Sequence, residues 1–309
     1  MEVRLLVIIV TYNAMQWAKR CFDSLKASSI VNDVFVVDNG SSDGTQGYIK
    51  NNYPTVIFKQ SETNLGFGKA NNIGLQYALD NHYEYVYLLN QDAWVMPDTF
   101  EKLIKVQEEN PDYGILSPMQ LQGNGRNFDK NFRNLALYRP VNDIFPIDDL
   151  YFNDLKEVYE VNFVMAAHWL ISIDCLKKVG GFSPTFPHYG EDDNYIQRTK
   201  YFNYKIGIVP NANAIHDRAD RVISKEQQMY FDYKKWLIKM SNPLNPKKHF
   251  KYLIIQDAIS KVKKYRSFVP IKYCSRLLKE YKQIIKNKKH SIYNEGAFLT
   301  KEVFVWPKA

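Results

Sequence analysis

The chain has 309 residues, a net charge of +8 and a composition that is 45% hydrophobic and 15% aromatic. Such a chain is not globally disordered, and it is long enough for one large domain with an appendage or for two modest domains. Cys21, Cys175 and Cys274 are far apart and form no CxxC pair, which excludes a zinc ribbon and a redox dithiol and fits a reducing cytoplasm.

The opening MEVRLLVIIVTYN lacks the basic leader and cleavage site of a signal peptide, and no run of about 18 apolar residues predicts a transmembrane helix. Leu5 to Val10 is a continuous β-branched run and reads as a buried strand. A helix is predicted over Ala14 to Ser28, where Trp17, Cys21, Phe22 and Leu25 recur at helical spacing. Val34 to Val37 reads as a second strand, ending in the turn cluster Asp38 to Gly44. There follow a helix over Thr45 to Asn51, a strand over Val56 to Phe58, a helix over Lys69 to Leu79 and a strand over Tyr85 to Leu89.

Alternating apolar strands and helices predict an α/β fold with a mostly parallel sheet flanked by helices. Ligands bind such sheets at the carboxyl ends of the strands. Four polar clusters fall there: Thr11-Tyr12-Asn13, Asp38 to Asp43, Asn64 to Asn71 and Asn90 to Asp92. The stretch 124–160 reads as an excursion around that edge. Val161 to Ile173 reads as a strand or strand pair, Asp192 to Tyr201 as a helix, Ile206 to Val209 as a strand and Lys225 to Met240 as a helix. Asn242 to Pro246 breaks the pattern and sets a boundary near residue 240. Beyond it the chain looks helical to Asn287, interrupted near Pro270. From Lys247 to Lys289 there are fourteen Lys or Arg against Asp257 and Glu280, a local balance of +12. The rest of the chain stands at −4, so the basic character belongs to the C-terminal segment.

Five strings occur in order: VIIVTYN, VVDNGSSDGT, NLGFGKANNIG, LLNQDAWV and VGGFSPTFPHYGEDDNYIQR. Together they resemble the family 2 glycosyltransferases with a GT-A fold, and within these the bacterial rhamnosyltransferase-like branch. The resemblance covers about residues 3–220. It implies a catalytic domain over 1–240, with a nucleotide-sugar half (1–118) and an acceptor half (119–240), and it leaves the basic helical extension 241–309 uncovered.

The resemblance implies an inverting, metal-dependent transfer from a nucleoside-diphosphate donor to a saccharide acceptor in cell-surface polysaccharide synthesis. The leading donor is dTDP-rhamnose, with UDP-sugars (galactofuranose, glucose, galactose or N-acetylhexosamine) behind it. The family usually carries Asp-x-Asp where this chain has Asn90-Gln91-Asp92. Asp92 is then the ligand of a divalent cation, Mg²⁺ or Mn²⁺, and Asn90 supports it or the donor ribose. The other reading is a turn after a strand. The family base falls on Asp192, with Glu191 positioning base or acceptor; neighbouring carboxylates raise one another's pKa and favour proton acceptance. An acidic helix start is the alternative. His216 matches a third metal ligand, or is structural.

For the donor, Thr11, Asn13 and Asp38 end strands, and Asn64, Gly66, Lys69 and Asn71 open a helix whose free N–H groups suit an anion. Asp38 could instead cap a turn, and Lys69 could be solvated. His168 and Trp169 interrupt an apolar run and are either acceptor-facing or satisfied core residues; His188 and Tyr189 precede the acidic run and are acceptor candidates. The basic tail, interleaved with apolar residues, fits an anionic membrane surface carrying a lipid-linked acceptor, a packed helical hairpin, or, least well, nucleic acid, which is not expected as a partner. The expected location is cytoplasmic, peripheral on the inner membrane face. A nucleotidyltransferase would carry a Gly-rich basic signature that Thr11 to Ala14 lacks, and a non-catalytic binding module would not need Asp92 and Asp192.

Overall fold

The apolar runs at the start of the chain form the strands that their pattern requires. The computed structural model describes residues 3–139, 141, 144, 146–218, 223–246 and 250–299. β1 (Leu5–Thr11), α1 (Met15–Lys26), β2 (Asn32–Asp38), α2 (Thr45–Asn52), β3 (Ile57–Gln60), α3 (Phe67–Asp80) and β4 (Tyr85–Asn90) alternate along the chain. β5 (Ala93–Val95), α4 (Thr99–Glu109) and β6 (Tyr113–Leu121) follow. The excursion contains α5 (Lys130–Phe132), one π-helical turn (Arg133–Leu137), α6 (Pro146–Phe152) and β7 (Tyr159–Glu160). Next come β8 (His168–Ser172), α7 (Ile173–Val179), α8 (Glu191–Tyr201) and β9 (Lys205–His216). Three helices close the described chain: α9 (Lys225–Ser241), α10 (Lys251–Tyr265) and α11 (Val269–Tyr293).

The sheet order is β3-β2-β1-β4-β8-β6-β9-β5, with β7 paired to β9. β3, β2, β1 and β4 are mutually parallel. The second half of the sheet is mixed. β8 runs antiparallel between β4 and β6, and β5 and β7 run antiparallel to β9. The strand expected over 161–173 is only His168–Ser172. Val161, Val164, Met165, Ala166 and Ala167 are buried outside any strand, so their apolar run reads like one.

Alternation along β1 sends Leu6 and Ile8 into one core and Leu5, Val7 and Ile9 into the other, one on each face of the sheet. A third cluster joins Phe186, Tyr233, Leu237 and Met240 to Phe250, Ile254, Leu277 and Ile284. The boundary expected at 240 thus cuts α9 from the two helices that share its core. Pro270 does not break a helix; it occupies the first turn of α11, where a missing N–H costs nothing. The chain reversal lies just before it, at Arg266 with φ +46°. No described helix is long and apolar enough to cross a membrane, and residues 300–309 of the expected extension lie outside the described residues.

One side chain fastens α3 to the segment before α8. Asn72 Nδ2 donates to the Phe182 carbonyl (2.9 Å), and its Oδ1 accepts from the Phe182 N–H (2.6 Å). Nδ2 also reaches the Phe298 carbonyl at 3.3 Å. Asn72→Ala leaves these backbone groups unpaired and is expected to cost about 1–3 kcal/mol. The check is urea unfolding, with a lower midpoint and an unchanged slope.

Candidate active site

β1 and β2 end side by side, which puts Thr11 against Asp38. Thr11 Oγ1 donates to Asp38 Oδ2 at 2.7 Å, and Ser41 Oγ donates to the same oxygen at 2.6 Å. Asp38 Oδ1 accepts from Gly40 N–H, Ser41 N–H, Gln46 and Gln60. Burial pushes this carboxyl up, but the bonds from Ser41, Thr11 and Gln60 outweigh it and hold Asp38 below the usual carboxylate range. Its lone pairs are therefore committed to fastening three loops, and a direct bond to a donor would have to displace one of them. Asn13, at φ +53°, accepts from Ser42 N–H and donates its own N–H to Ser41 Oγ, which binds the first loop to the second. Gln91 clasps the Tyr12 backbone from both sides, 2.7 Å to its N–H and 3.2 Å to its carbonyl, and binds the β4 loop to the β1 loop.

The loop before α3 comes close to the segment before α8. Asn64 Oδ1 accepts from Gly66 N–H, and Gly66 has φ +78°. A Cβ on residue 66 would lie 2.5 Å from the Pro187 carbonyl oxygen, so only glycine allows this approach. A Cβ on Gly68 would meet Phe182 at 2.9 Å and Glu191 at 4.0 Å. The start of α3 therefore borders the acidic run. Lys69 is exposed there, whereas Asn71 is buried and bonds the Phe67 carbonyl inside the helix.

On the other side of the cleft, Asn90 ends β4 and receives the first backbone bond beyond the β4–β8 ladder, from its N–H to the Ala167 carbonyl. Pairing of Ala93 with His216 brings Asp92 to the end of β9. Asp92 Oδ1 lies 3.6 Å from His216 Nε2. On the far side of the ring, Asp129 Oδ2 lies 3.8 Å from His216 Nδ1 and 3.5 Å from Arg218 Nε. Both ring nitrogens of His216 are buried without a hydrogen-bond partner among the described residues. Burial acts against ionisation of Asp92, but His216 outweighs it and the carboxyl sits below its ordinary range. No three His, Cys, Asp or Glu side chains converge on one point among the described residues. The pair still suits a hard cation, because an unsatisfied Nε2 and a carboxylate oxygen face each other and a diphosphate can complete the shell. A polar recess of about 190 Å³ opens behind the ring, lined by Gln122, Asn124, Asp129, Lys130, Asp217 and Arg218.

The acidic run caps α8. Gly190 at φ +91° turns the chain, and Glu191, Asp192 and Asp193 fill the first turn. Burial, then the charge of Asp192, pushes Glu191 up to about 8, and its Oε2 has no hydrogen-bond partner among the described residues. Burial and Asp192 push Asp193 up to about 7. Burial raises Asp192 too, against the N–H of Asp193, 2.9 Å from its Oδ1. Lys234 of α9 is buried and stands over the Tyr230 ring at 5.1 Å. Burial lowers it to about 8, although the charge of Glu191 opposes that. Asn194, where the family often has Asp, accepts from the fully buried Arg198 and donates to the Ser241 carbonyl. His188 and Tyr189 are exposed beside this run, their rings 3.9 Å apart.

His168 and Trp169 are core residues in this structure, which corrects the acceptor-facing expectation. Trp169 is fully buried and donates to the Val164 carbonyl. His168 Nε2 lies 2.9 Å from the Ile215 carbonyl and Nδ1 lies 2.8 Å from Tyr87 Oη. A carbonyl only accepts, so Nε2 carries the proton and Nδ1 accepts from the tyrosine. Burial pushes this imidazole down to about 3 and keeps it neutral. His168 thus pins β9 one residue before His216. Sequence reasoning missed Asp129, Gln91, Asn72 and Lys234, whose roles depend on which loops and helices meet.

The family model described as Glycosyl transferase family 2 matches residues 6–180. A low-salt glycan biosynthesis hexosyltransferase of Haloferax volcanii is 24% identical over 232 residues, covering 74% of this chain and 72% of the relative. An N-acetylglucosaminyl-diphospho-decaprenol L-rhamnosyltransferase of Mycobacterium tuberculosis is 26% identical, covering 69% of this chain and 76% of the relative. The fold is similar to that of S. aureus TarS in complex with UDP-GlcNAc, with a TM-score of 0.55 at 16% identity over 94% of this chain and 90% of that one. It is also similar to GalNAc-T7 with UDP, GalNAc and Mn²⁺, with a TM-score of 0.58 at 16% identity over 85% of this chain and 54% of that one.

A raised carboxyl pKa makes folding less favourable once the group ionises. Glu191 stays protonated in the fold up to about 8, against 4.5 for the unperturbed group. Its favourable contribution is complete below the lower value and is lost as pH rises through the upper one. Glu191→Gln removes the ionisation and is expected to raise the melting temperature at pH 8 by roughly 2 °C or more while changing it little at pH 4.5. Calorimetry at the two pH values checks the sign.

Proposed function

The chain belongs to glycosyltransferase family 2, and from that premise we propose that it transfers a hexosyl group, with inversion, from a nucleoside diphosphate to a saccharide hydroxyl. The observation that carries the reading is the presence, beyond the ends of the strands, of a close carboxylate–imidazole pair (Asp92 and His216) and a carboxylate run with raised pKa values (Glu191 to Asp193). The two are linked through the backbone. Ala166 N–H faces Asp192, and the Ala167 carbonyl accepts from Asn90 N–H.

Asp192 takes the proton of the acceptor hydroxyl as its oxygen attacks the anomeric carbon, and the diphosphate leaves from the opposite face. Glu191, mostly protonated at neutral pH, keeps negative charge away from Asp192 and orients the acceptor. Thr11, Asn13, Asp38 and Asn64 shape the nucleotide pocket, with Asp38 acting through the loops it fastens. Gly66, Asn71 and Lys69 place the start of α3 beside the diphosphate, and Asn90 steadies the end of β4. His188 and Tyr189 face the acceptor. Asp92 and His216 would hold Mg²⁺ or Mn²⁺, which neutralises charge growing on the leaving diphosphate. Asp129 is a positioning residue that turns the His216 ring so that Nε2 faces Asp92.

We propose dTDP-rhamnose as donor, a reading supported by the rhamnosyl transfer in the name of the M. tuberculosis relative. A UDP-sugar is the second reading, favoured by the UDP-bound solved structures of similar fold. The same relative's name supports a lipid-linked acceptor, which would place the enzyme on the inner membrane face.

Diphosphate release from a panel of nucleotide sugars, with Mn²⁺ or Mg²⁺ and a saccharide acceptor, tests the reading. Asp192→Asn is expected to lower kcat by roughly 10²-fold or more with little change in donor KM. The acidic limb of kcat/KM should lie above the ordinary carboxylate range, because the base must ionise and activity falls as pH drops through its raised pKa. Full activity in Asp192→Asn, or release of pyrophosphate in place of nucleoside diphosphate, would overturn the assignment. Asp129→Asn is expected to weaken Mn²⁺ binding by about 10-fold or more, read from the signal of free Mn²⁺ in electron paramagnetic resonance.

A further inference from the structure

The helix α10 has two apolar faces, and the described residues cover only one. Ile254, Ala258 and Tyr265 are buried in the bundle with α9 and α11. Tyr252, Ile255 and Ile259 are 68%, 42% and 53% exposed. Spaced i, i+3 and i+7, they share one line along the helix. The line leads to the turn into α11, where Phe268 is 75% exposed, and Ile271 in the next turn is 47% exposed. Single exposed apolar residues need no explanation, but five large ones within twenty residues mark a contact surface.

The charge around this surface has one sign. Lys251, Lys263, Lys264, Arg266 and Lys272 are exposed beside it. No acid occurs from residue 258 to 279. The acids on either side are engaged: Asp257 accepts from Trp236 and Lys261, and Glu280 accepts from Arg276. An apolar stripe edged by cations on long flexible stems matches the interface of an anionic bilayer, where the rings and aliphatic side chains enter the acyl boundary and the ammonium groups reach the phosphates.

We propose that the α10–α11 hairpin is a membrane-docking surface that seats Tyr252, Ile255, Ile259, Phe268 and Ile271 in an anionic lipid bilayer. The hairpin packs against the helix that borders the acidic run. α10 and α11 share a core with α9 and Phe186, and Tyr230 of α9 donates to the His188 carbonyl. Docking would therefore set the height of the acidic run above the bilayer, where the non-reducing end of a lipid-linked saccharide must present its hydroxyl. This use of the surface rests on the acceptor proposed above; the surface itself does not.

The test is sedimentation of the full chain with vesicles of phosphatidylcholine alone and of phosphatidylcholine mixed with phosphatidylglycerol. The chain should partition onto the anionic vesicles only, and less so as salt rises. The triple change Ile255→Ser, Ile259→Ser and Phe268→Ser, and separately Lys263→Gln, Lys264→Gln and Arg266→Gln, should each weaken partitioning by roughly 10-fold. Circular dichroism and transfer to a water-soluble acceptor should match the parent in both variants, which separates loss of docking from loss of fold or catalysis. A parent chain that stays in the supernatant at low salt, equal binding to neutral vesicles, or an apolar-face variant that partitions like the parent would each overturn the docking surface and leave the transferase reading standing. Failure of transfer to every soluble acceptor, with vesicle binding intact, would count against the transferase reading instead.

Discussion

Three carboxyl groups crowded into the first turn of α8 are the constraint on which the site depends. Burial and mutual repulsion both oppose their ionisation, so the fold must hold them together while the proton distribution adjusts. Several close contacts do this. The Gly190 turn sits against Phe186, Gly66 lies against Pro187, and Gly68 brings α3 next to Glu191. Behind the run, the buried Arg198 donates to the Val179 and Gly181 carbonyls and to Asn194. An aspartate at 194 would add a fourth acid beside the cluster; the neutral amide satisfies Arg198 without doing so. In that light the departure from the family pattern at this position lowers the electrostatic cost of the cluster.

The opposite edge solves the reverse problem. Asp38 and Asp92 are also withdrawn from water, yet both are held below the ordinary carboxylate range, by six hydrogen bonds in one case and by His216 in the other. The same side-chain chemistry therefore gives anions at Asp38 and Asp92 and groups that take up protons in the first turn of α8. Such separation of carboxylate pKa values by environment is how one fold assigns acid–base roles. His168 serves the anionic edge from inside the core, since its fixed tautomer holds the Ile215 carbonyl and with it the start of the His216 turn.

The parallel half of the fold was legible because its strands are short apolar runs ending in polar turns, and burial on both faces leaves few other readings. The ordered motifs point to Asp92 and Asp192, which fall after β4 and in the first turn of α8, and His216 ends β9. The antiparallel insertion of β8 was not, because an apolar stretch has the same pattern whether it pairs in a ladder or packs as irregular chain, as 161–167 does. Asp129 was hidden for a different reason. It lies in the excursion, where no periodicity operates, and reaches His216 only because the chain returns to β6 through Asp129 N–H and the Gln120 carbonyl. His168 and Trp169 stood between two readings because a polar atom in an apolar run signals either a ligand or an internal partner, and only the positions of Tyr87, Ile215 and Val164 decide between the two.

The C-terminal helices change meaning once α9 is seen to share their core. A tail attached by a linker could bind lipid without affecting chemistry. Here α9 carries Lys234 towards Glu191 and Tyr230 to the His188 carbonyl, while its other side packs on α10 and α11. Burial lowers Lys234 to about 8, the charges of Glu191 and Glu280 pull the other way, and the Tyr230 ring lies under its ammonium group. The bundle therefore supplies part of the electrostatic environment of the acidic run, and the helix that carries the exposed apolar line shares one core with the helix beside that run.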